Sequence, residues 1–133
     1  MKAAYVVDTD WVIDYLINRE ETKRKLKELR RAGLAVSIVS VAELYEGAYY
    51  ARDPGRSQQV LEAFLRQVPT LGVDREICKI FGKERGRLRQ QKKTVSDFDL
   101  LIASTCLCYD LTLLSNNRRH YEMVEGLRIV SLS

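Results

Sequence analysis

A parallel α/β sandwich, with one central sheet covered by helices on both faces, is the fold class this sequence predicts. Three observations lead there. Short Val- and Leu-rich runs read as buried strands: AAYVVD (Ala3–Asp8), LAVSIVS (Leu34–Ser40), TLGV (Thr70–Val73), LTLLS (Leu111–Ser115) and LRIVSL (Leu127–Leu132). Stretches with a helical apolar repeat separate them. The strands are continuously apolar rather than alternating, as strands buried on both faces of a mainly parallel sheet are. The 133 residues hold no repeat, low-complexity tract or linker, so the expectation is a single domain, 1–133.

The elements follow in order. AAYVVD is a strand ending at Asp8, and Trp11, Ile13, Tyr15, Leu16 and Ile17 carry a helix up to Asn18. A second helix, about Glu21 to Arg31, places Leu26 and Leu29 one turn apart and stops at Gly33. After LAVSIVS, a helix over VAELYEGAYYA (Val41–Ala51) takes Ser40 as its N-cap. RDPGR (Arg52–Arg56) is the clearest loop. Val60, Leu61, Phe64, Leu65 and Val68 form the stripe of a helix over Ser57–Val68. Asp74 caps a helix to about Gln91, and a buried helix spans Ser96–Tyr109. A short helix, NRRHYEMV (Asn117–Val124), precedes the last strand.

Composition narrows the function classes. No run of about 18 apolar residues exists, and the N-terminus lacks a signal-peptide pattern, so the chain is expected to stay in the cytoplasm. Cys78, Cys106 and Cys108 are an odd set, with the last two diverging on a helix; they read as reduced thiols, not a disulfide frame or zinc site. The net charge of +4 mildly favours a polyanionic partner. Its distribution says more. KERGRLRQQKK (Lys83–Lys93) holds six cations and one acid, and runs directly toward Asp97 and Asp99. The other basic run, KRKLKELRR (Lys23–Arg31), reads as a solvated helix face.

In an open parallel sheet the working crevice lies beyond the carboxyl ends of the strands. Asp8 sits where the first strand ends, and Glu43 one short step into the helix after the second. Ser115, Asn116 and Asn117 sit where the LTLLS strand ends. The helix beginning at Ser96 must run antiparallel to that strand, so Asp99 arrives at the same edge. Three carboxylates in one crevice repel unless a proton or cation intervenes. Hard oxygen donors without His or Cys suit Mg2+ or Mn2+ rather than zinc. Such an ion serves attack of water on phosphorus, and the helix start at Ser96 favours an anion there.

Each residue also has a plainer reading. Ser96 and Asp99 have capping-box spacing, S-x-x-[DE], which explains Asp99 alone but neither Asp8 nor Glu43. Asp8 and Asp10 compete to cap the same helix. Asp97 points away from Asp99, because residues two apart do not share a helix face, and is a cap or supporting residue rather than a ligand. Glu43 could be a surface acid; Ser40, three residues earlier, could also touch a metal-bound water. Asn117 fits a turn in SNNR. His120, the single histidine, reads as a partly exposed side chain on a short helix.

VVDTDWVIDYL, VSVAELYEG, DFDLLIAST and LTLLSNNRRHYEMVEGLRIV together resemble, in this order and spacing, the PIN-domain ribonucleases, and among them the VapC toxins of toxin–antitoxin pairs. The resemblance covers essentially the whole chain. It implies a three-layer α/β/α fold and a Mg2+- or Mn2+-dependent endoribonuclease that cuts structured RNA such as transfer or ribosomal RNA. It also implies a VapB-like antitoxin and a homodimer. Carried over by position, Asp8, Glu43 and Asp99 are the first three acids, and Asn117 stands at a fourth position that is often acidic. Asp10 stands where many relatives have Asn, adding an acid.

The assignment is then as follows. Asp8 and Asp99 hold the metal, with Glu43 binding through water or orienting the attacking water. Ser40, Asp10, Asp97 and Ser115 support them, Ser115 and Asn117 shaping the outer shell. Arg85, Arg87, Arg89, Lys92 and Lys93 contact RNA phosphates. An antitoxin segment is expected in an apolar groove between the two early helices. Two alternatives stand beside this. VVDTDWVI also fits the opening motif of haloacid-dehalogenase-like phosphatases, with Asp8 as nucleophile and Asp10 as general acid, but that reading has no use for Glu43. The other is a PIN module that binds RNA or protein through an incomplete site.

Overall fold

The computed structural model describes residues 2–132. Five strands form one sheet in the order β3-β2-β1-β4-β5, and every pairing is parallel. The strands are β1 (Tyr5–Val7), β2 (Leu34–Ser37), β3 (Thr70–Leu71), β4 (Thr112–Leu114) and β5 (Ile129–Val130). The helices are α1 (Thr9–Leu16), α2 (Glu20–Leu29), α3 (Ile38–Tyr49), α4 (Pro54–Leu65), α5 (Arg75–Gln90), α6 (Asp97–Tyr109) and α7 (Arg118–Tyr121).

The period-two alternation of the strands builds two apolar cores from one sheet. Val6 and Leu113 join a cluster with Leu88, Leu100, Ile102, Ala103 and Tyr121, from α5, α6 and α7. Val7 and Leu114, one residue on, join Trp11, Val12, Leu26, Leu44, Leu61 and Phe64, from α1 to α4. Both members of each pair are fully buried, which explains why the strands carry no polar alternation. The result is the expected three-layer α/β/α arrangement.

Several boundaries differ from the sequence reading, among them the shortening of the NRRHYEMV helix to Arg118–Tyr121 and of the TLGV strand to Thr70–Leu71. LAVSIVS is strand only to Ser37, whose Oγ accepts the Val39 N–H and caps α3. Ser40 is therefore not the cap but lies inside the helix, buried, and its hydroxyl has no hydrogen-bond partner among the described residues. Capping chemistry overrides the strand preference of Ile38 and Val39. RDPGR is not all loop: Pro54 opens α4, and Asp53 Oδ1 accepts the Arg56 N–H. Proline is pre-organised for a first helical turn, where its missing N–H costs nothing. That helix ends at Leu65, earlier than the apolar stripe indicates. The second helix gives way to a 3-10 turn at Arg30–Ala32 before Gly33. Gly33 has φ +98°, and a Cβ there would lie 2.3 Å from the Lys2 carbonyl oxygen, so only glycine fits.

The sheet order places the functional edge. Beyond β1 the chain is wound toward β2 and β3, and on the other side toward β4 and β5. The reversal falls between β1 and β4, so a crevice opens at their carboxyl ends. Asp8 and Ser115 are the residues that leave those two strands.

Candidate active site

Asp8 is the centre of the site. It caps α1, and it is 3% exposed. Its Oδ1 accepts the Thr9 N–H at 2.9 Å, and its Oδ2 accepts from Ser115 Oγ at 2.7 Å, across the switch crevice. The Tyr121 hydroxyl approaches Oδ1 at 3.2 Å from α7. Burial outweighs these donors: the Asp8 carboxyl is pushed up to about 7, with the Ser115 hydrogen bond opposing and the charges of Asp10 and Asp99 adding to the shift.

Asp99 enters from the first turn of α6, which Ser96 caps through the Asp99 N–H at 3.2 Å. Both its carboxylate oxygens are engaged by α7. Tyr121 Oη lies 3.2 Å from Oδ1, and His120 Nδ1 lies 3.3 Å from Oδ2. Tyr121 is fully buried and touches both acids, so it ties Asp8 to Asp99. Burial and the charges of Asp8 and Asp99 push its phenol upward, so it stays protonated.

Glu43 reaches the same network from α3. Thr9 Oγ1 donates to Glu43 Oε1 at 2.8 Å while the Thr9 N–H serves Asp8. One residue thus joins the first and second acids. Among the described residues, no three acidic, His or Cys side chains converge closely enough to enclose an ion. The arrangement is an open pair, Asp8 and Asp99, with Glu43 held to one side.

The remaining candidates separate by contact. Asp10 Oδ1 accepts the Trp11 N–H at 2.8 Å and Oδ2 the Asn116 N–H at 2.9 Å. Both oxygens are committed to backbone, and Asp10 fastens α1 to the turn after β4. Burial raises its carboxyl too. Asn116 completes that fastening, its Oδ1 accepting from Trp11 Nε1 and the Leu132 N–H. Ser115 Oγ donates to Asp8 and accepts the Asn117 N–H at 3.0 Å. The Asn117 side chain is exposed and gives no hydrogen bond to the cap or the acids among the described residues. Asp97 is 78% exposed and pairs with Arg85 at 2.7 Å, outside the acid network.

The basic run divides as well. Arg85 is held by Asp97 and by the Val95 carbonyl at 2.8 Å. Arg87 is held by Glu84 at 2.6 Å and the Met123 carbonyl at 2.8 Å, so it joins α5 to the segment after α7. Arg89, Lys92 and Lys93 are exposed and make no ion pair among the described residues. They lie at the carboxyl end of α5, one short connection before the start of α6, and so at the Asp99 end of the molecule. Thr9 and Tyr121 are the functional side chains the sequence reading missed. The signal for Tyr121 was present: a tyrosine on an apolar helix face needs a partner for its hydroxyl when buried.

The donor chemistry fits a small divalent cation. Mg2+ is usually held by one or two carboxylates, with waters and substrate phosphate completing its shell, rather than by an all-protein cage. Here two hard carboxylates share one crevice, and the buried Asp8 resists ionisation unless a cation compensates it. Burial also pushes Cys106 up to about 12, so this thiol is an inert packing group.

The PIN domain family profile matches residues 5–126. The ribonuclease VapC2 of Haemophilus influenzae is 35% identical over 125 residues, covering 93% of this chain and 94% of that protein. The tRNA(fMet)-specific endonuclease VapC of Shigella flexneri is 30% identical over 124 residues, covering 93% and 94%. The crystal structure of DNA-bound VapBC from Salmonella typhimurium aligns with a TM-score of 0.90 at 25% identity, over 97% of this chain and 98% of that one. VapBC2 from Rickettsia felis, bound to a fragment of its promoter, gives 0.92 at 22% identity over the same shares, a likeness of fold. The chain belongs to the PIN-domain family, on the branch of the VapC ribonucleases.

Proposed function

We propose that this chain is a VapC-type toxin, a single-domain endoribonuclease that uses Mg2+ or Mn2+ held by Asp8 and Asp99. The observation that carries the proposal is the meeting of these two carboxylates, one from the end of β1 and one from the first turn of α6, on one tyrosine hydroxyl. When bound, the ion neutralises charge on the phosphate oxygens and makes water a better nucleophile. Thr9 Oγ1 fixes Oε1 of Glu43, which orients this acid to take a proton from the attacking water. Ser115 holds Asp8 in place from β4. Arg89, Lys92 and Lys93 bind backbone phosphates, whereas Arg85 and Arg87 serve the fold. The phosphatase alternative lacks support: both Asp10 oxygens are bound to backbone N–H groups, which leaves no general acid.

Structured RNA, such as transfer RNA, is the proposed substrate. The chain works in the cytoplasm as a homodimer beside a VapB-like antitoxin. No helix among the described residues is long and apolar enough to cross a membrane. A cleft of about 830 Å³ between α1, α3 and α4 is lined by Ile13, Ile17, Leu44, Leu61 and Phe64. We place the antitoxin segment there. The cleft lining also includes Asn18 of the α1–α2 loop and Lys23 of α2, so it adjoins the groove expected between the two early helices. Incubation of purified protein with total cellular RNA tests the reading. Discrete cleavage with Mg2+ or Mn2+, lost in EDTA and in Asp99→Asn, supports it; cleavage that survives both rejects it.

A further inference from the structure

We infer that Tyr121 is the positioning residue that sets the divalent-metal affinity of the Asp8–Asp99 pair. The inference rests on the metal-dependent reading above and deepens it.

Two facts about the contact carry the argument. The hydroxyl lies 3.2 Å from an oxygen of each acid. A single phenol donating to one carboxylate would sit nearer, at roughly 2.5–2.7 Å. A phenol has one hydrogen, so equal and long distances fit a hydrogen shared between two acceptors. The two acids come from elements remote in sequence, the end of β1 and the start of α6, and no direct hydrogen bond joins them among the described residues. Tyr121 therefore fixes their separation. It is itself fully buried among Leu100, Ala103 and other residues of the α5–α6–α7 core, so the hydroxyl has little freedom to wander.

The neighbouring contacts show what the hydroxyl adds. Asp8 has two other donors, Thr9 N–H and Ser115 Oγ. Apart from Tyr121, Asp99 has no side-chain donor from the core side among the described residues; its other contact is the exposed His120 ring. Without the hydroxyl, the Asp99 side chain would be free to swing toward solvent while Asp8 stayed in place. A pair aligned in advance binds an ion more tightly than a pair that must be ordered on binding, and outer partners of metal ligands typically contribute roughly 10–100-fold in affinity.

The test is Tyr121→Phe, which removes one oxygen and keeps the ring. Mn2+ binding to wild type and variant is followed by the electron paramagnetic resonance signal of free Mn2+, with Asp99→Asn as the control that lacks a ligand. Melting temperatures without metal are recorded in parallel. The inference predicts a folded variant whose Mn2+ dissociation constant rises roughly 10–100-fold. RNA cleavage should recover toward the wild-type rate as Mn2+ is raised. A purely structural role would lower the melting temperature and the rate without moving the metal dependence.

A second measurement does not depend on the variant folding. In wild-type protein carrying 13C at tyrosine Cζ, the Tyr121 resonance should move during a Mg2+ titration and saturate with the pair. Unchanged or tighter Mn2+ binding by Tyr121→Phe, or a Tyr121 resonance indifferent to Mg2+, overturns the inference while leaving the nuclease reading intact. Wild-type protein that binds no Mn2+ and cuts no RNA overturns both.

Discussion

Replacing Asp8 by Asn should stabilise the metal-free protein at neutral and alkaline pH. The folded carboxyl is pushed up to about 7 from an ordinary 3.8, chiefly by burial. The protonated form is therefore the one the fold accepts. Below about pH 4, Asp8 is neutral in both folded and unfolded chains and costs nothing. Between 3.8 and about 7 the unfolded chain ionises first, so stability falls as pH rises; above that the cost is constant. At about 1.4 kcal/mol per unit, a gap of about 3 units amounts to ~4 kcal/mol. Asn does not titrate, but its amide is a poorer partner for Ser115 Oγ, which returns about 1–2 kcal/mol. The expected net gain at pH 8 is ~2–3 kcal/mol, or a rise in melting temperature of roughly 5–10 °C. Thermal melts of both proteins in EDTA from pH 4 to 8.5 give the difference directly, because other titrating groups cancel. The gain should be absent at pH 4 and complete by about pH 8. A variant equally or less stable at pH 8, or a gain independent of pH, refutes the reasoning. Mn2+ at a thousandfold excess over the dissociation constant should reverse the order, stabilising wild type by about 4.1 kcal/mol without stabilising the variant.

Other consequences follow from the same contacts. Arg87→Ala should lower stability in urea unfolding, because Glu84, 8% exposed, loses its cation; intact stability would show the pair to be idle. The triple change Arg89→Ala, Lys92→Ala, Lys93→Ala should leave melting unchanged and weaken RNA binding. The slope of log affinity against log salt should fall by about 2 if all three meet phosphates, and an unchanged slope removes them from the interface. Gly33→Ala should destabilise by roughly 1–3 kcal/mol, given its φ of +98° and the 2.3 Å approach to the Lys2 carbonyl; a neutral outcome would mean the chain before β1 shifts freely.

The parts legible in the sequence are those set by strong local chemistry. Val6–Val7 and Leu113–Leu114 announce buried strands because each adjacent pair feeds two cores. Ser96 and Asp99 announce a helix start because the cap is a local hydrogen bond. Asp8, Glu43 and Asp99 were reached by asking which residues leave the strand ends, a question topology answers. Ser37 and Ser40 show the limit. Both precede a helical stretch, and nothing local says that the chain turns at the first. Asp53–Pro54 shows the same ambiguity, since the pair suits a turn and a helix start equally. A tyrosine on an apolar helix face signals that its hydroxyl needs a partner but not which one, because Asp8 and Asp99 are 113 and 22 residues away. Arg87 looked like a phosphate ligand until the backbone carbonyl of Met123, 36 residues on, claimed it.

The most direct test of the account is the position of the metal. Crystals grown with Mn2+ and measured at its absorption edge should show an anomalous peak within bonding distance of the Asp8 and Asp99 carboxylates. Asp10 and Asp97 should show none, since the first is bound to backbone and the second faces Arg85. An ion seated elsewhere, or RNA cleavage by protein whose Asp8–Asp99 crevice takes no ion, contradicts the account.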